Sequence, residues 1–458
     1  MTPILYIAGA FPHNDVKLMA TKSKPLANSW AVRILLGGSL LILVLMPFHA
    51  LLSTWAGTSF GFYLYFKAWK ELLLLVLAAI TIGLLIKDRA LAKKIFDRKI
   101  NWLILAYCVV HVLTWIIFRP NTKAAVAGMM TNLRFLVFFG IAQVVYYYRP
   151  RDFGPERLVR YVLVPFALTI GFALLQILLL PKDFLRHFGY SNATIEPFLT
   201  IDQKPDLIRY ASTGRGPNQY GAYMLLPVAM LVYVFFKRKA RRLILVLLPT
   251  AAVLFYTHSR SAWLGMAATL VTLCVLQLNR RQLKQVALYS LPFIAIVGVV
   301  FYGMRDTYLV QNTLFHTDEN STAAHSSNYE HWANAANAAK DAATHPIGQG
   351  PGSAGPASFY NVKGGKIAEN YYIQIAQEVG ILGLALFVAI NVLLIKQLFP
   401  YRRHFWPAVL LASFTGVAVV NIFLHGWADD TLGLVWWGVA GAVSYVVYDK
   451  VPKPKKVT

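Results

Sequence analysis

IAENYYIQIAQEVGILGLALFVAINVLLIKQL, residues 367–398, opens on polar groups and then settles into Ile, Leu, Val, Ala and Phe. An apolar run of about twenty residues is what a helix needs to cross the hydrocarbon core of a bilayer. Comparable runs recur along the whole chain, at 31–53, 61–86, 100–118, 124–147, 158–180, 217–236, 242–257, 261–279, 286–303, 371–395, 405–425 and 430–448. Of the 458 residues 57% are hydrophobic and 14% charged, and the mean hydropathy is +0.51. The expected fold is therefore an all-α membrane protein of about 12 transmembrane helices, read as a single polytopic domain over 1–458.

The net charge of +24 does not point to nucleic acid, because Lys and Arg sit in short clusters between the apolar runs. With the N-terminus inside, the cytoplasmic segments include KDRALAKKIFDRK, YRPRDFGPERLVR, FKRKARR and YDKVPKPKK, and they hold about 28 basic residues against about 12 in the opposite segments. Both termini are thus expected in the cytoplasm. Cys108 and Cys274 fall inside apolar runs, so neither a disulfide framework nor a zinc site is expected. The first thirty residues lack a long apolar core followed by a small-residue cleavage site, and no removable signal peptide is expected.

This orientation leaves 181–216 and 304–370 outside the cytoplasm, the latter a loop subdomain between the ninth and tenth spans. In SSNYEHWANAANAAKDAATHP, Ser327 and Glu330 have the spacing of a capping box, and the Ala-rich run predicts a helix over 328–344. IGQGPGSAGPAS follows, with Gly348, Gly350, Gly352 and Gly355. It lacks the Lys-Ser/Thr ending of a P-loop, so its glycines either let the chain return to the membrane or contact a glycan or phosphate.

Asn370, Gln374 and Glu378 recur every four residues and share one face of the tenth span. A carboxylate facing lipid at that depth costs about 2.5 kcal/mol or more, so the stripe faces other helices or a wet cavity. Glu369 differs. It precedes the helix beside the loop, where water and substrate reach it, and it is either a helix-terminus acid or a reactive group. On the same membrane face RYASTGRGPNQYGAY places Arg209, Arg215 and Asn218, and YTHSRSAWLG places Arg260 in a tight turn. Guanidinium forks match phosphate oxygens and stay charged at any relevant pH, so the cluster fits a phosphate or pyrophosphate, here a lipid diphosphate. Lipid-headgroup anchoring is the alternative for any one of them.

The order RxxxxGRGPNxxGxY, THSRSAWLG, a long loop with HPIGQGPGSAG, then ENYYIQIAQEVGILGL resembles the O-antigen ligase and O-antigen polymerase family of bacterial membrane glycosyltransferases, over residues 205–390. The resemblance implies a GT-C-like membrane domain in the bacterial cytoplasmic membrane with its active site on the external face. The implied donor is a glycan on undecaprenyl diphosphate and the acceptor a hydroxyl of a glycan, lipid or protein, with no cofactor, no essential metal and no nucleic acid. Arg260 and one of Arg209 or Arg215 would hold the diphosphate. Asn370, Gly380 and Gly383 match the family spacing at the late helix, while Glu369 stands where the ligases carry His. Relatives place an Arg four residues before the loop-helix Trp, where this chain has Asn328 before Trp332; His331 is then a candidate polar contact to substrate. Glu369 is the expected general base of an inverting displacement. A transporter or flippase of lipid-linked oligosaccharide, and a protein O-oligosaccharyltransferase, are the alternative functions.

Two further groups carry charge. Asp429 and Asp430 in HGWADD read as a solvated turn, short of the ligands a metal needs. Lys67, Lys70 and Glu71 either pair with one another at helical spacing or face the arginine cavity.

Overall fold

A computed structural model of the protein describes residues 26–201, 204, 206–315, 327–361 and 365–450. Among these residues 11 helices are long and apolar enough to cross a membrane: Trp30–Ser59, Trp69–Lys87, Lys99–Phe118, Thr122–Tyr148, Pro155–Leu178, Pro217–Arg238, Arg260–Gln277, Arg280–Met304, Tyr371–Tyr401, Phe405–Phe423 and Asp430–Tyr448. In the place of the seventh expected span lies Ile244–Tyr256, a helix of 13 residues with Pro249 inside it. Counting it, the spans are numbered one to twelve in chain order. The all-α polytopic fold stands, and among the described residues the only strands are a two-residue hairpin, β1 (Leu199–Thr200) antiparallel to β2 (Ile208–Arg209).

Short polar side chains start several helices by accepting orphan backbone N–H groups. Ser29 accepts from Val32, Asn121 from Lys123, and Asn279 forms a capping box with Gln282 at the ninth span. The first span bends where Met46–Phe48 tightens to a 3₁₀ turn around Pro47. Spans eight and eleven approach most closely through small residues, since a Cβ on Gly416 would lie 2.4 Å from the Gly265 carbonyl oxygen. Spans four, eleven and twelve enclose an aromatic core in which Trp427, Trp436 and Trp437 are fully buried and the Trp436 indole donates to Ser413 Oγ at 2.9 Å. Among the described residues the ninth span exposes Leu291, Ile294 and Val299.

The loop helix runs Ser327–Thr344, matching the 328–344 expectation. The expected Ser327–Glu330 capping box, and Asn328, involve side chains outside the described residues.

The tenth span is not continuous. Val379 and Gly380 leave helical geometry, with Gly380 at φ +72°. The sequence reading of one unbroken helix over 371–395 is corrected here. The glycine-rich loop docks into the break: Gln349 and Gly350 N–H groups donate to the Gln377 and Glu378 carbonyls at 2.9 and 2.8 Å, and Ile381 N–H donates to the Pro346 carbonyl at 2.9 Å. A Cβ on Gly380 would sit 2.5 Å from that Pro346 oxygen, so only glycine lets the two backbones meet. Of the two readings of the loop glycines, this geometry realises the return to the membrane.

Candidate active site

Glu369 lies one residue before the N-cap of the tenth span and holds φ +50°, a left-handed conformation that costs a non-glycine residue about 1–3 kcal/mol. That backbone turn aims its carboxylate at the loop helix, where Glu369 Oε2 meets His331 Nδ1 in a short ion-pair contact. Asn370 fixes the same corner twice. Its Oδ1 accepts from Ile373 N–H at 3.0 Å, and its Nδ2 donates to the Ile422 carbonyl at the end of the eleventh span, also at 3.0 Å. The loop helix is fastened from its other end by Asp341, which accepts from Gln377 Nε2 at 2.7 Å and Gln349 Nε2 at 2.8 Å and faces Lys366 Nζ at 3.6 Å. Burial pushes the Asp341 carboxyl up, but these hydrogen bonds and the lysine outweigh it and hold the group below the usual carboxylate range.

The arginines occupy the neighbouring corner. Arg209 Nη2 donates to Asn218 Oδ1 at 2.6 Å and its Nε to the Thr257 carbonyl at 3.2 Å, which ties β2 to the sixth span and to the turn before the eighth. Arg260 is the first residue of the eighth span, half-buried behind the Ser259 N-cap. Arg215 is exposed and lines three cavities of about 500, 520 and 550 Å³. The largest places Arg215 with Asn218, Gln219, His425 and Asp429 under Pro356 of the loop. Val420 and Leu424 line it too, and they flank the Ile422 carbonyl that Asn370 grips. The structure thus brings together Glu369 with His331, Arg209 with Asn218, and Arg215 with Asn218. Asn370 reaches the end of the eleventh span, whose Val420 and Leu424 line the Arg215 cavity. Neither Glu369 nor Arg260 is among the residues lining these three cavities.

Residues 244–388 match the O-antigen ligase family. The chain is also 22% identical over 386 residues to an O-antigen polymerase of Salmonella muenchen, a match that covers 78% of this chain and 92% of the relative. The resemblance read from the motifs is borne out by both matches, and the apolar helices agree with a multi-pass membrane protein. The O-antigen ligase match contains Arg260, His331, Glu369 and Asn370, whereas Arg209, Arg215 and Asn218 precede it.

Two buried polar networks support this corner. Glu378 is fully buried and accepts from Asn132 Nδ2, from Gly352 N–H at 3.2 Å and from Gln374 Nε2 at 3.4 Å. Asn132 in turn accepts from the Tyr371 hydroxyl at 3.3 Å. The polar stripe of the tenth span therefore faces other helices and the returning loop, as interhelical hydrogen bonding requires. The second network overturns the solvated-turn reading of HGWADD. Asp430 pairs with Arg134 and, at 3.1 Å, with Lys70, which also holds Glu71 at 2.9 Å. His49 Nε2 lies 3.5 Å from Asp430, and Trp69 Nε1 donates to His49 Nδ1 at 2.9 Å. Asp429 caps the twelfth span by accepting from Leu432 N–H at 2.9 Å, while burial and the Asp430 charge push its carboxyl up to about 6. Burial pushes the His425 imidazole down to about 4, so it lines the Arg215 cavity uncharged. Sequence reasoning missed Arg134 and His425. A lone Arg within an apolar span was the available signal for the first.

Proposed function

We propose that the chain is a membrane glycosyltransferase that polymerises or transfers glycan from an undecaprenyl-diphosphate donor onto an acceptor hydroxyl, at the outer face of the bacterial cytoplasmic membrane, with both termini inside. What supports this reading is the contact of Glu369 with His331 of the loop helix, together with an Arg215–Asn218 cavity that lies under Pro356 of the same loop and along the end of the eleventh span that Asn370 grips. Arg215, with Arg260, neutralises the departing diphosphate. Arg209 orients Asn218, and Asn370 holds the helix start against the eleventh span. His331 orients the Glu369 carboxylate rather than contacting substrate alone.

In the reaction the acceptor oxygen attacks the anomeric carbon of the donor sugar, and the bond from that carbon to the diphosphate oxygen breaks. The acceptor proton passes to Glu369, and the electron pair leaves with the diphosphate beside the guanidinium groups. Attack opposite the leaving group inverts the anomeric centre. No bound metal is needed in this scheme, because the arginines supply the positive charge.

Similarity over 92% of an O-antigen polymerase favours polymerisation over ligation. The test is reconstitution with an undecaprenyl-diphosphate glycan. A product ladder is expected, and a single transferred glycan on a second lipid or on protein would instead identify a ligase. Glu369→Gln should lower turnover by about 10²–10⁴-fold in a folded protein. Full turnover in that variant would remove Glu369 from the chemistry.

A further inference from the structure

The cavity of about 520 Å³ on the far side of Arg215 is walled by the first span, by Tyr63 and Lys67 just before the second, by the 181–216 segment and by Asp429, Asp430 and Thr431 at the start of the twelfth span. Lys67 and Arg215 both line it, and among the described residues neither side chain has an ion pair or hydrogen bond. The acids on or near its wall have other partners: Asp430 pairs with Arg134 and Lys70, Glu71 with Lys70, and Asp429 accepts from Leu432 N–H. Thr54 supplies an independent sign of a missing ligand. Its side chain is 1% exposed, it lines the same cavity, and its Oγ1 has no hydrogen-bond partner. A buried hydroxyl left unsatisfied costs about 1–3 kcal/mol, which a bound acceptor oxygen would recover.

We propose that Lys67, Arg215 and Thr54 form a phosphate-binding subsite that seats the diphosphate of the lipid-linked donor, with Lys67 as a cation the family motifs do not include. The assignment rests on the glycosyltransferase reading above for the identity of the lipid. An ammonium and a guanidinium face one void whose Asp430 is already paired with Arg134 and Lys70, and a hydroxyl adds a donor for an equatorial phosphate oxygen. Burial, then the Arg215 and Lys70 charges, hold the Lys67 ammonium below its ordinary value against the opposing Asp430 and Glu71 charges, and a bound anion would offset the two cationic neighbours. Opening on the loop side of the bundle, the cavity leaves the sugar to extend from Arg215 into the neighbouring cavity with Asn218 and His425. Arg215 is common to both, so it marks the junction between leaving group and sugar.

The test measures binding of undecaprenyl diphosphate to the full chain in phosphatidylcholine nanodiscs, without turnover. Lys67→Gln should weaken binding by about tenfold or more, and Lys67→Arg should stay within about threefold of the unmodified protein. Thr54→Val, which keeps the shape of the side chain, provides a second variant and should weaken binding about threefold to tenfold. Inorganic pyrophosphate and phosphatidylglycerol serve as competitors. Weak competition by pyrophosphate and none by phosphatidylglycerol is expected. Pyrophosphate binding as tightly as the lipid form would overturn the lipid assignment, and equal displacement by phosphatidylglycerol would reduce the subsite to a headgroup contact. Unchanged binding in both Lys67→Gln and Thr54→Val overturns the subsite alone. Absence of undecaprenyl diphosphate binding in the unmodified protein removes the subsite and the glycosyltransferase reading together. A Lys67-dependent binder that transfers no glycan retains the subsite and loses the proposed function.

Discussion

Gly352 donates its backbone N–H to Glu378 Oε1 at 3.2 Å, so a loop expected to lie outside the membrane supplies a ligand to a fully buried carboxylate of the tenth span. The contact is possible because Gly352 holds φ +77° and presses on the fourth span, where a Cβ would lie 2.0 Å from the Ala124 carbonyl oxygen.

Gly352→Ala should therefore destabilise the protein by about 2–3 kcal/mol, since neither the backbone conformation nor the backbone neighbour can yield cheaply. Thermal unfolding in detergent should show a lower midpoint, and limited proteolysis should cut the loop sooner. An unchanged melt would mean that the loop does not seat against the fourth span.

Removing the acceptor tests the other half of that contact. Glu378→Leu leaves Asn132 and the Gly352 N–H without their carboxylate, at a cost of about 1–3 kcal/mol for each buried group left unpaired. Glu378→Gln retains an acceptor oxygen and should melt between the two. Equal melting of Leu and Gln variants would show that hydrogen bonding at this position contributes nothing.

Arg134 joins Asp430 and the Glu71–Lys70 pair at the loop end of the bundle. Arg134→Met should cost about 3–5 kcal/mol, because the buried Asp430 charge loses its guanidinium partner. Yield of folded protein by size-exclusion fluorescence reads this directly, and normal yield with a normal melt would refute it.

The contact between His331 and Glu369 predicts a kinetic split. His331→Ala should lower kcat by about tenfold through loss of carboxylate orientation, with KM for the lipid donor little changed. His331→Gln should recover part of the loss by restoring a polar partner. A raised KM with unchanged kcat would instead make His331 a donor-binding group.

Asp429 gives a pH dependence of definite sign. Its folded value, pushed up to about 6, lies above the ordinary carboxylate value, so the folded state disfavours its charge. The resulting destabilisation is absent below the unfolded value near 3.8, grows as pH rises through about 6, and is complete above it. Asp429→Asn keeps an N-cap acceptor and should raise the melting midpoint at pH 8, with the advantage fading as pH falls from 6 towards 4. A gain that does not vary with pH would reject this origin.

Much of the fold was legible because each span satisfies its own backbone and advertises itself by composition. The loop helix was legible from its own local signals, whereas Asn370, read as the first member of the polar stripe, proved to be the N-cap of the tenth span. What escaped depends on which helix faces which. Arg134 and Asp430 are 296 positions apart, and nothing local to HGWADD shows that the fourth span carries its counter-charge. The break at Val379–Gly380 also escaped, because the glycine adopts its left-handed turn only to meet Pro346 and Ile347. Glu369, the arginines and His331 were singled out as candidates by residue type and expected sidedness. The direct Glu369–His331 contact and the orientation of Lys67 towards Arg215 needed the packing of separate segments.

The interrupted tenth span has a mechanical consequence. Its upper half ends on carbonyls that hydrocarbon cannot solvate, and Gln349 and Gly350 act as their cap. Withdrawing that cap would strand those oxygens in lipid, so residues 346–352 are moored for as long as the bundle is assembled. Any opening of this loop must then swing on the part above this mooring, which would carry His331 away from Glu369 while leaving the tenth span in place.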